Sequence, residues 1–477
     1  MKLISIRISN LHQLQQLIKD FPDEFEGLEI RADEMDTLPN WSLLNSSFEG
    51  LQIVFTCRAG TLEDNKRLEH YLNFLASAQG YIDVDLEDWK LWSEKLKDFK
   101  GRLVISAHNY GGPQLTIDQI EDCITVQCAV VKFAISVEDS WQGLAFLKKL
   151  RTLNFGSSKL VFTCMGAAGQ WSRMAASCLG SLWTYYCSPD SATAPGQLDV
   201  KQFKGEQFHE VTVGAEIYAI VGNPVMHSLS PRIHNAFMSG SGRSGIYVRF
   251  PSSDLDSLFE LLPTEVRGLS ITTPFKQKAV EFCHELDPVA SASAVVNTLL
   301  KTSQGWKGYN TDGPAIIEVI KQHWGSLDQF KTITVLGAGA VAQAVLVCLM
   351  EYREKIVIIN RTESKARRLA ESHGIQWSSA DVKPDLSQAL ILQCTSVGMG
   401  SDKSSPLPFD WLTSNISLVE SIYNPEETKL MSMVNELGGR CLGGKHLFMH
   451  QAIMQQKIWF DGAHMEFDQA TNLLEIS

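Results

Sequence analysis

Lys132 stands inside the run AVVKFAI, where all its neighbours are apolar. Taking an ammonium away from water disfavours its charged form, which lowers the pKa and makes the amine a candidate nucleophile for a carbonyl carbon. The bland alternative is a side chain that snorkels its charge to the rim of the fold. His108 closes RLVISAH and is either a proton carrier or a hydrogen-bonded core histidine. Glu29 and Arg31 in LEIRADE, Arg58 in FTCRAG and Arg173 at the end of MGAAGQWSR place charges at the ends of other β-rich runs. Taken singly, each arginine reads as a surface or ion-pair residue.

A second set of signals lies in the C-terminal half. GAGAVA supplies Gly337, Gly339 and Ala342 in a G-x-G-x-x-A spacing between a strand-like run, KTITVL, and a helical one. That arrangement lets a pyrophosphate approach the backbone at a helix N-terminus. At the end of the next strand, about 23 residues on, an NAD site carries an acidic residue for the ribose hydroxyls. This chain has Asn360, Arg361 and Thr362 there, and a cation with a hydroxyl suits a 2′-phosphate, so NADP is expected over NAD.

These residues need elements to hold them. Eight β-rich runs precede residue 190: LISIRIS, GLEIRA, LQIVFTC, YIDVDLE, RLVISAH, AVVKFAI, KLVFTCM and LWTYYC, with helical patterns between them. Strands alternating with helices predict a parallel sheet, and eight such units in about 200 residues predict a small (β/α)8 barrel, whose site sits where its strands end. The charged residues at those ends are thereby expected to converge on one pocket. A polar stretch around 200–213, VKQFKGEQFHEV, is read as a linker without the apolar periodicity of a buried segment. A mixed α/β segment follows from EIYAIVGNP, then a Rossmann unit with later strands IVIIN, ALILQC and SLVESIY, and about 30 helical residues close the chain.

Composition limits the function classes. At 477 residues the chain exceeds what one hydrophobic core usually organises. A hydrophobic share of 44% with 20% charged residues is that of an ordinary soluble protein, and a net charge of −12 gives no overall attraction for nucleic acid or anionic membranes. No apolar run approaches the roughly 18 residues a membrane helix needs, and MKLISIRISN enters a strand with no signal-like core. Ten scattered cysteines without a C-x-x-C pair predict reduced thiols, no metal site and a cytoplasmic location.

In order, LEIRADE, FTCRAG, VISAHNY, VVKFA, FTCMGAAGQWSR and ATAPGQL resemble the type I 3-dehydroquinate dehydratases over about 200 residues. The resemblance implies an imine between Lys132 and the substrate ketone, with His108 moving protons. It also implies Arg173 on the substrate carboxylate, and Glu29, Arg31, Arg58 and Gln197 on the ring hydroxyls and the base. Thr193 stands where the family carries a serine, four residues before that glutamine.

GNPVMHSLSP, GLSITTPFK, VVNT, YNTDG, NRT, TSVGM, YNP and a late H-Q resemble the shikimate dehydrogenases over about 260 residues. The resemblance places the substrate carboxylate on Ser228 and Ser230, with Thr272, Asn297, Tyr423 and Gln451 around the ring. Lys276 and Asp312 become the catalytic pair, an ammonium and carboxylate able to stabilise and protonate an alkoxide. The alternative for that pair is a solvated ion pair. Cofactor contacts are expected at Gly337, Ala338, Gly339, Ala340, Asn360, Arg361, Thr362, Thr395, Ser421 and Gly444. Ala340 departs from a frequent GAGG, and GGKHLFMHQ departs from the commoner G-x-x-M-L run.

The expected organisation is a dehydratase barrel over 1–205, a substrate-binding domain over 214–318, an NADP-binding Rossmann domain over 319–440, and C-terminal helices over 441–477 packing back on the substrate domain. The expected function is the dehydration of 3-dehydroquinate followed by NADPH reduction of 3-dehydroshikimate. Two rival readings are a dehydrogenase half that prefers quinate, and a non-catalytic ligand sensor.

Overall fold

The computed structural model describes residues 1–7, 22, 25–33, 41, 49–60, 62–188, 192–209 and 211–475. Two compact units divide the chain, Met1–Val266 and Arg267–Ser477.

All eight N-terminal runs form strands: β1 (Lys2–Arg7), β2 (Gly27–Arg31), β3 (Gln52–Thr56), β4 (Tyr81–Asp85), β5 (Leu103–Asn109), β6 (Val130–Ser136), β7 (Lys159–Met165) and β8 (Thr184–Cys187). They pair in parallel in the order β7-β6-β5-β4-β3-β2-β1-β8. Between β7 and β8 the barrel is drawn nearly closed by Leu182 N donating to Leu160 O at 2.8 Å and Phe162 N donating to Ser181 Oγ at 3.2 Å.

Side-chain alternation builds the interior in tiers. Leu3, Val54, Val104, Val130, Val161, Trp183 and Tyr185 form a buried apolar cluster. Two residues further along five of those strands, on the same face, come Ser5, Thr56, Ser106, Lys132 and Thr163, all buried. An apolar floor thus carries a polar tier on the side where the strands end.

The stretch after the barrel departs from the linker expectation. Val200–Gly205 is a helix capped by a reciprocal Asp199–Gln202 box, and Phe203, Phe208 and Val211 are buried. Phe203 packs with ring centroids 5.6 Å from Phe25, 5.1 Å from Tyr186 and 5.9 Å from Phe208. A single helical turn is too short to show periodicity, so two aromatic anchors among polar residues concealed a packed segment. The first unit continues into the parallel pair β9 (Glu216–Gly222) and β10 (Gly245–Pro251). This pair is docked on the barrel: Asp139 accepts from Ser252 Oγ at 2.7 Å and Ser253 N at 2.6 Å, and Trp171 meets Phe250 edge-on at 5.5 Å.

In the second unit β11 (Val266–Ile271) and β14 (Gly305–Tyr309) both pair antiparallel with β13 (Thr298–Thr302), and β12 (Cys283–Leu286) lies parallel to β14. Six parallel strands follow: β15 (Thr332–Leu336), β16 (Ile356–Asn360), β17 (Gln376–Ser379), β18 (Ala389–Gln393), β19 (Ser417–Glu420) and β20 (Arg440–Leu442). Their order, β17-β16-β15-β18-β19-β20, is that of a doubly wound dinucleotide-binding sheet, with the strand order reversing between β15 and β18. The helix Gly444–Trp459 returns to the first sheet of this unit, where Trp459 Nε1 donates to Leu299 O at 3.0 Å and Ser270 Oγ donates to Gln455 Oε1 at 3.0 Å. Among the described residues no helix is long and apolar enough to cross a membrane.

Candidate active sites

Glu29, Arg31, Arg58, His108, Lys132, Arg173, Thr193 and Gln197 all line one cavity of about 460 Å³ in the barrel. At its base lies Asp83, wholly buried, which sequence reasoning passed over. It meets Lys132 Nζ at 2.7 Å and Arg58 Nη2 at 2.8 Å, and accepts from Ser106 Oγ at 2.6 Å. Burial pushes the Asp83 carboxyl up, but Arg58 and Lys132 outweigh it and hold it well below the usual range. Lys132 is also 3.6 Å from Glu29 and 4.4 Å from the centre of the Tyr185 ring. The apolar neighbours of Lys132 in AVVKFAI do not surround its amine: strand alternation points the flanking Val131 and Phe133 away and turns Lys132 toward the carboxylates.

His108 is positioned from both ring nitrogens. Nδ1 is 3.2 Å from Asp85 Oδ2, which sets a tautomer with Nδ1–H donating to the carboxylate, and Nε2 is 3.5 Å from Arg58 Nη2. Burial, with Arg58 next, lowers its pKa to about 4 against the pull of Asp85, so the ring is neutral at neutral pH with Nε2 as its basic nitrogen. Asp83 and Asp85 were legible in YIDVD, since acids two apart on a barrel strand share the interior face.

Arg173 presents the opposite condition. It is buried, and among the described residues its Nη1 reaches only the Tyr185 carbonyl at 3.4 Å and its Nε lacks a partner; burial brings its pKa down to about 10. A buried guanidinium without a carboxylate, on the wall of a cavity, calls for an anion. Arg31 by contrast is engaged with Asp33 at 2.6 Å. Glu29 accepts from Ser5 Oγ and, at 3.1 Å, from Thr56 Oγ1. Thr193 Oγ1 is 2.7 Å from Ser5 Oγ and donates to Gln197 Oε1 at 3.0 Å. Gly196 makes that loop possible: its φ is +70°, and a Cβ there would stand 2.3 Å from Gly166 O.

Also in the first unit, Ser228 Oγ donates to Ser230 Oγ at 3.1 Å and accepts from Ser230 N at 3.2 Å, where the helix Ser230–Gly240 begins. Both serines are buried.

In the second unit Lys276 Nζ lies 2.7 Å from Asp312 Oδ2. The Asn310 carboxamide oxygen accepts from Asp312 N at 3.0 Å and Gly313 N at 3.2 Å, fixing the start of the helix Asp312–Trp324. Asp312 is buried and Lys276 is largely so, which separates this pair from a solvated surface bridge. Asn297 Nδ2 donates to Thr311 Oγ1 at 2.9 Å and Gln451 Oε1 at 3.4 Å. Thr272 follows β11, with its carbonyl accepting from Phe275 N at 2.9 Å, and the Tyr423 ring lies 5.4 Å from that of Phe448.

The dinucleotide features collect where the sheet order reverses. Gly337 follows β15 with φ +108°, and a Cβ on it would stand 3.0 Å from Thr395 Cγ2 and 3.1 Å from Cys394 O, beyond the end of β18. After Ala338, Gly339 is the N-cap of the helix Ala340–Cys348, and a Cβ there meets only open space. Thr395 Oγ1 donates to Gln393 Oε1 at 3.0 Å, and Ser421 N donates to Gln393 O at 3.2 Å. Asn360 ends β16 and donates to Thr362 O at 2.9 Å, leaving Arg361 exposed beside it. Gly444 starts its helix so near the chain that a Cβ would stand 2.3 Å from Ile422 O.

Glu420, another residue the sequence reading missed, ends β19 with no exposure. Its Oε1 accepts from Ile422 N at 3.0 Å and its Oε2 from Thr428 Oγ1 at 2.8 Å, so it ties down both ends of the loop carrying Tyr423. Burial raises its pKa to about 7.

Barrel and doubly wound sheet together belong to a chain of two enzymes, a lyase and a dinucleotide-dependent oxidoreductase. Residues 3–205 match the type I 3-dehydroquinase family, residues 220–299 the shikimate dehydrogenase substrate binding domain, and residues 318–393 the shikimate/quinate 5-dehydrogenase family. A bifunctional 3-dehydroquinate dehydratase/shikimate dehydrogenase of Arabidopsis thaliana, named as chloroplastic, is 27% identical over 83% of this chain and 70% of its own length. A shikimate dehydrogenase (NADP(+)) of Haloarcula marismortui is 34% identical over 51% of this chain and 93% of its own. The shikimate 5-dehydrogenase of Thermus thermophilus, solved with NADP(H) and shikimate, is 26% identical with a TM-score of 0.50, covering 55% of this chain and 98% of that one. The chain belongs to the family of bifunctional 3-dehydroquinate dehydratase/shikimate dehydrogenases of the shikimate pathway.

Glu420 yields a pH prediction. Its folded pKa of about 7 lies above its ordinary 4.5, so its protonated form contributes stability that is complete below about pH 4.5 and lost as pH rises through about 7. Glu420→Gln removes that titration. Thermal unfolding followed from about pH 5 to about pH 8.5 is expected to show wild type losing on the order of 2–3 kcal/mol relative to the variant. Parallel profiles would contradict it.

Proposed function

We propose that the barrel dehydrates 3-dehydroquinate to 3-dehydroshikimate through an imine on Lys132, and that the remainder reduces 3-dehydroshikimate to shikimate with NADPH. What carries the first half is Lys132, buried beside Asp83 and Glu29, in the same cavity as the buried Arg173 and the neutral His108. Arg173 takes the substrate carboxylate as its missing counter-ion. Lys132 gives up a proton, attacks the ketone carbon and expels its oxygen as water, leaving an imine. That imine draws electrons from the neighbouring C–H bond, so the carbon can lose a proton. His108 Nε2 carries protons for imine formation, for departure of the ring hydroxyl as water and for hydrolysis of the product imine. Glu29, Arg31, Arg58, Thr193 and Gln197 orient the ring.

For the reductive half, Ser228 and Ser230 in the first unit offer hydroxyls to the carboxylate. In the second unit Thr272, Asn297, Tyr423 and Gln451 bind ring hydroxyls. Gly337, Ala338, Gly339 and Ala340 leave room for a pyrophosphate at a helix N-terminus, with Thr395, Ser421 and Gly444 lining the approach. Asn360, Arg361 and Thr362 suit a 2′-phosphate, and NADPH supplies the hydride. Lys276, held by Asp312, protonates the alkoxide that forms on the substrate. Ten free cysteines, six of them buried, fit the reducing cytoplasm.

Borohydride added with 3-dehydroquinate is expected to inactivate dehydration by fixing an adduct on Lys132, because a reduced imine cannot hydrolyse. A peptide map showing unmodified Lys132 after full inactivation would sink the mechanism. For the cofactor, Arg361→Ala is expected to weaken NADPH by about 1.5 to 3 kcal/mol, roughly ten- to a hundredfold, and NADH far less. Equal loss for both would show that Arg361 does not meet the 2′-phosphate.

A further inference from the structure

β10 carries a buried arginine, Arg249, in the apolar run GIYVRFP. A guanidinium in such a place is costly unless its charge is met. One nitrogen, Nη2, donates at 2.6 Å to the backbone carbonyl of Ser228 and at 2.8 Å to Glu206 Oε1. Glu206 is not on the sheet. It is the C-cap of the short helix Val200–Gly205, and lies outside both the dehydratase match, which ends at 205, and the dehydrogenase match, which begins at 220.

We infer that Glu206 is a positioning residue for the dehydrogenase, holding Arg249 so that the loop bearing Ser228 and Ser230 keeps the shape that receives the substrate carboxylate. The inference rests on the reading of those serines given above. One further contact ties the same segment to the helix that follows the loop. The Glu206 carbonyl accepts from Asn235 Nδ2 at 3.2 Å, and Asn235 stands on the helix that Ser230 begins. Asn235 is itself locked to β10, donating to Tyr247 O at 3.1 Å and accepting from Tyr247 N at 2.8 Å. At its other end the Glu206 helix is rooted by Phe203 on Tyr186 of β8 and on Phe25. A continuous path thus runs from a barrel strand through Glu206 and Arg249 to Ser228. The segment that joins the two enzymes supplies part of the framework of the second one's substrate loop.

A role confined to neutralising Arg249 would affect folding or all parameters alike, whereas a positioning role acts on one substrate. In the full-length protein, Glu206→Ala is expected to raise KM for 3-dehydroshikimate about tenfold, some 1.4 kcal/mol. KM for NADPH and the dehydratase turnover should each stay within about twofold. Glu206→Gln keeps an acceptor oxygen at the same reach and should recover most of the loss. Ser228→Ala is run beside them. If it leaves KM unchanged, the reading of the serines falls, and the inference that rests on it falls with it. If Ser228→Ala raises KM and Glu206→Ala does not, the inference is overturned, as it is by a uniform change in both substrates' KM. Should the alanine variant fail to fold, Glu206→Asp, one methylene shorter with its charge intact, must show the same selective rise in KM. A wild-type value there would overturn the inference.

Discussion

Asp83 is a carboxylate with no access to water, ringed by an ammonium, a guanidinium and a hydroxyl. Each group would be expensive to bury alone, and each is made tolerable by the others. The arrangement fixes geometry as well as charge. Lys132 and Arg58 are held on one carboxylate, Arg58 comes within 3.5 Å of His108 Nε2, and Asp85 on the same strand orients the other face of that ring. Two acids on β4 thereby hold the amine and the imidazole to which the barrel's chemistry is assigned above. Breaking a buried pair of this kind by removing one partner typically costs about 3–5 kcal/mol, because a charge is left stranded.

The same economy of position recurs in the second half. A parallel barrel and a doubly wound sheet both expose strand ends on one side; the barrel carries its cluster of charged side chains there, the doubly wound sheet its glycine-rich turn, while Lys276 and Asp312 follow β11 and β14 of the mixed sheet. In the barrel an apolar floor lies beneath a polar tier, so that the interior is apolar below and charged above. In the dinucleotide unit the reversal between β15 and β18 opens the crevice, and Gly337 keeps it open where any side chain would press on Thr395. Buried polar groups brace each site from behind: Asp83 beneath Lys132, Asn310 beneath Asp312, Glu420 beneath the Tyr423 loop, and Arg249 beneath Ser228.

Much of this was legible in the sequence because the signals were local. Eight β-rich runs gave eight strands, and Lys132, His108, Arg58 and Arg173 were visible as charges at the ends of apolar runs. What escaped shares one cause, dependence on a partner far away in the chain. The partners of Lys132 were not visible in AVVKFAI, since Asp83 and Glu29 lie 49 and 103 residues earlier. Asp83 and Asp85 stood in plain view at period two within the β-rich run YIDVDLE. Arg249 in GIYVRFP obeys the rule that singled out Lys132 and could have been found by it. The junction read as a polar linker because Phe203 and Phe208 are scattered among polar residues, and only the packing of Phe203 on Phe25 and Tyr186, and of Phe208 on Phe203, reveals that they are anchors.

The dependence of the barrel site on its buried carboxylate is tested most directly by Asp83→Asn, which keeps the shape and removes the charge. Steady-state dehydration of 3-dehydroquinate should fall by at least about 10²-fold, since the variant loses the placement of both the amine and the proton carrier. Reduction of added 3-dehydroshikimate should persist in the same preparation and report that the chain is folded. Dehydration at the wild-type rate in that folded variant would contradict the claim that Asp83 organises the site.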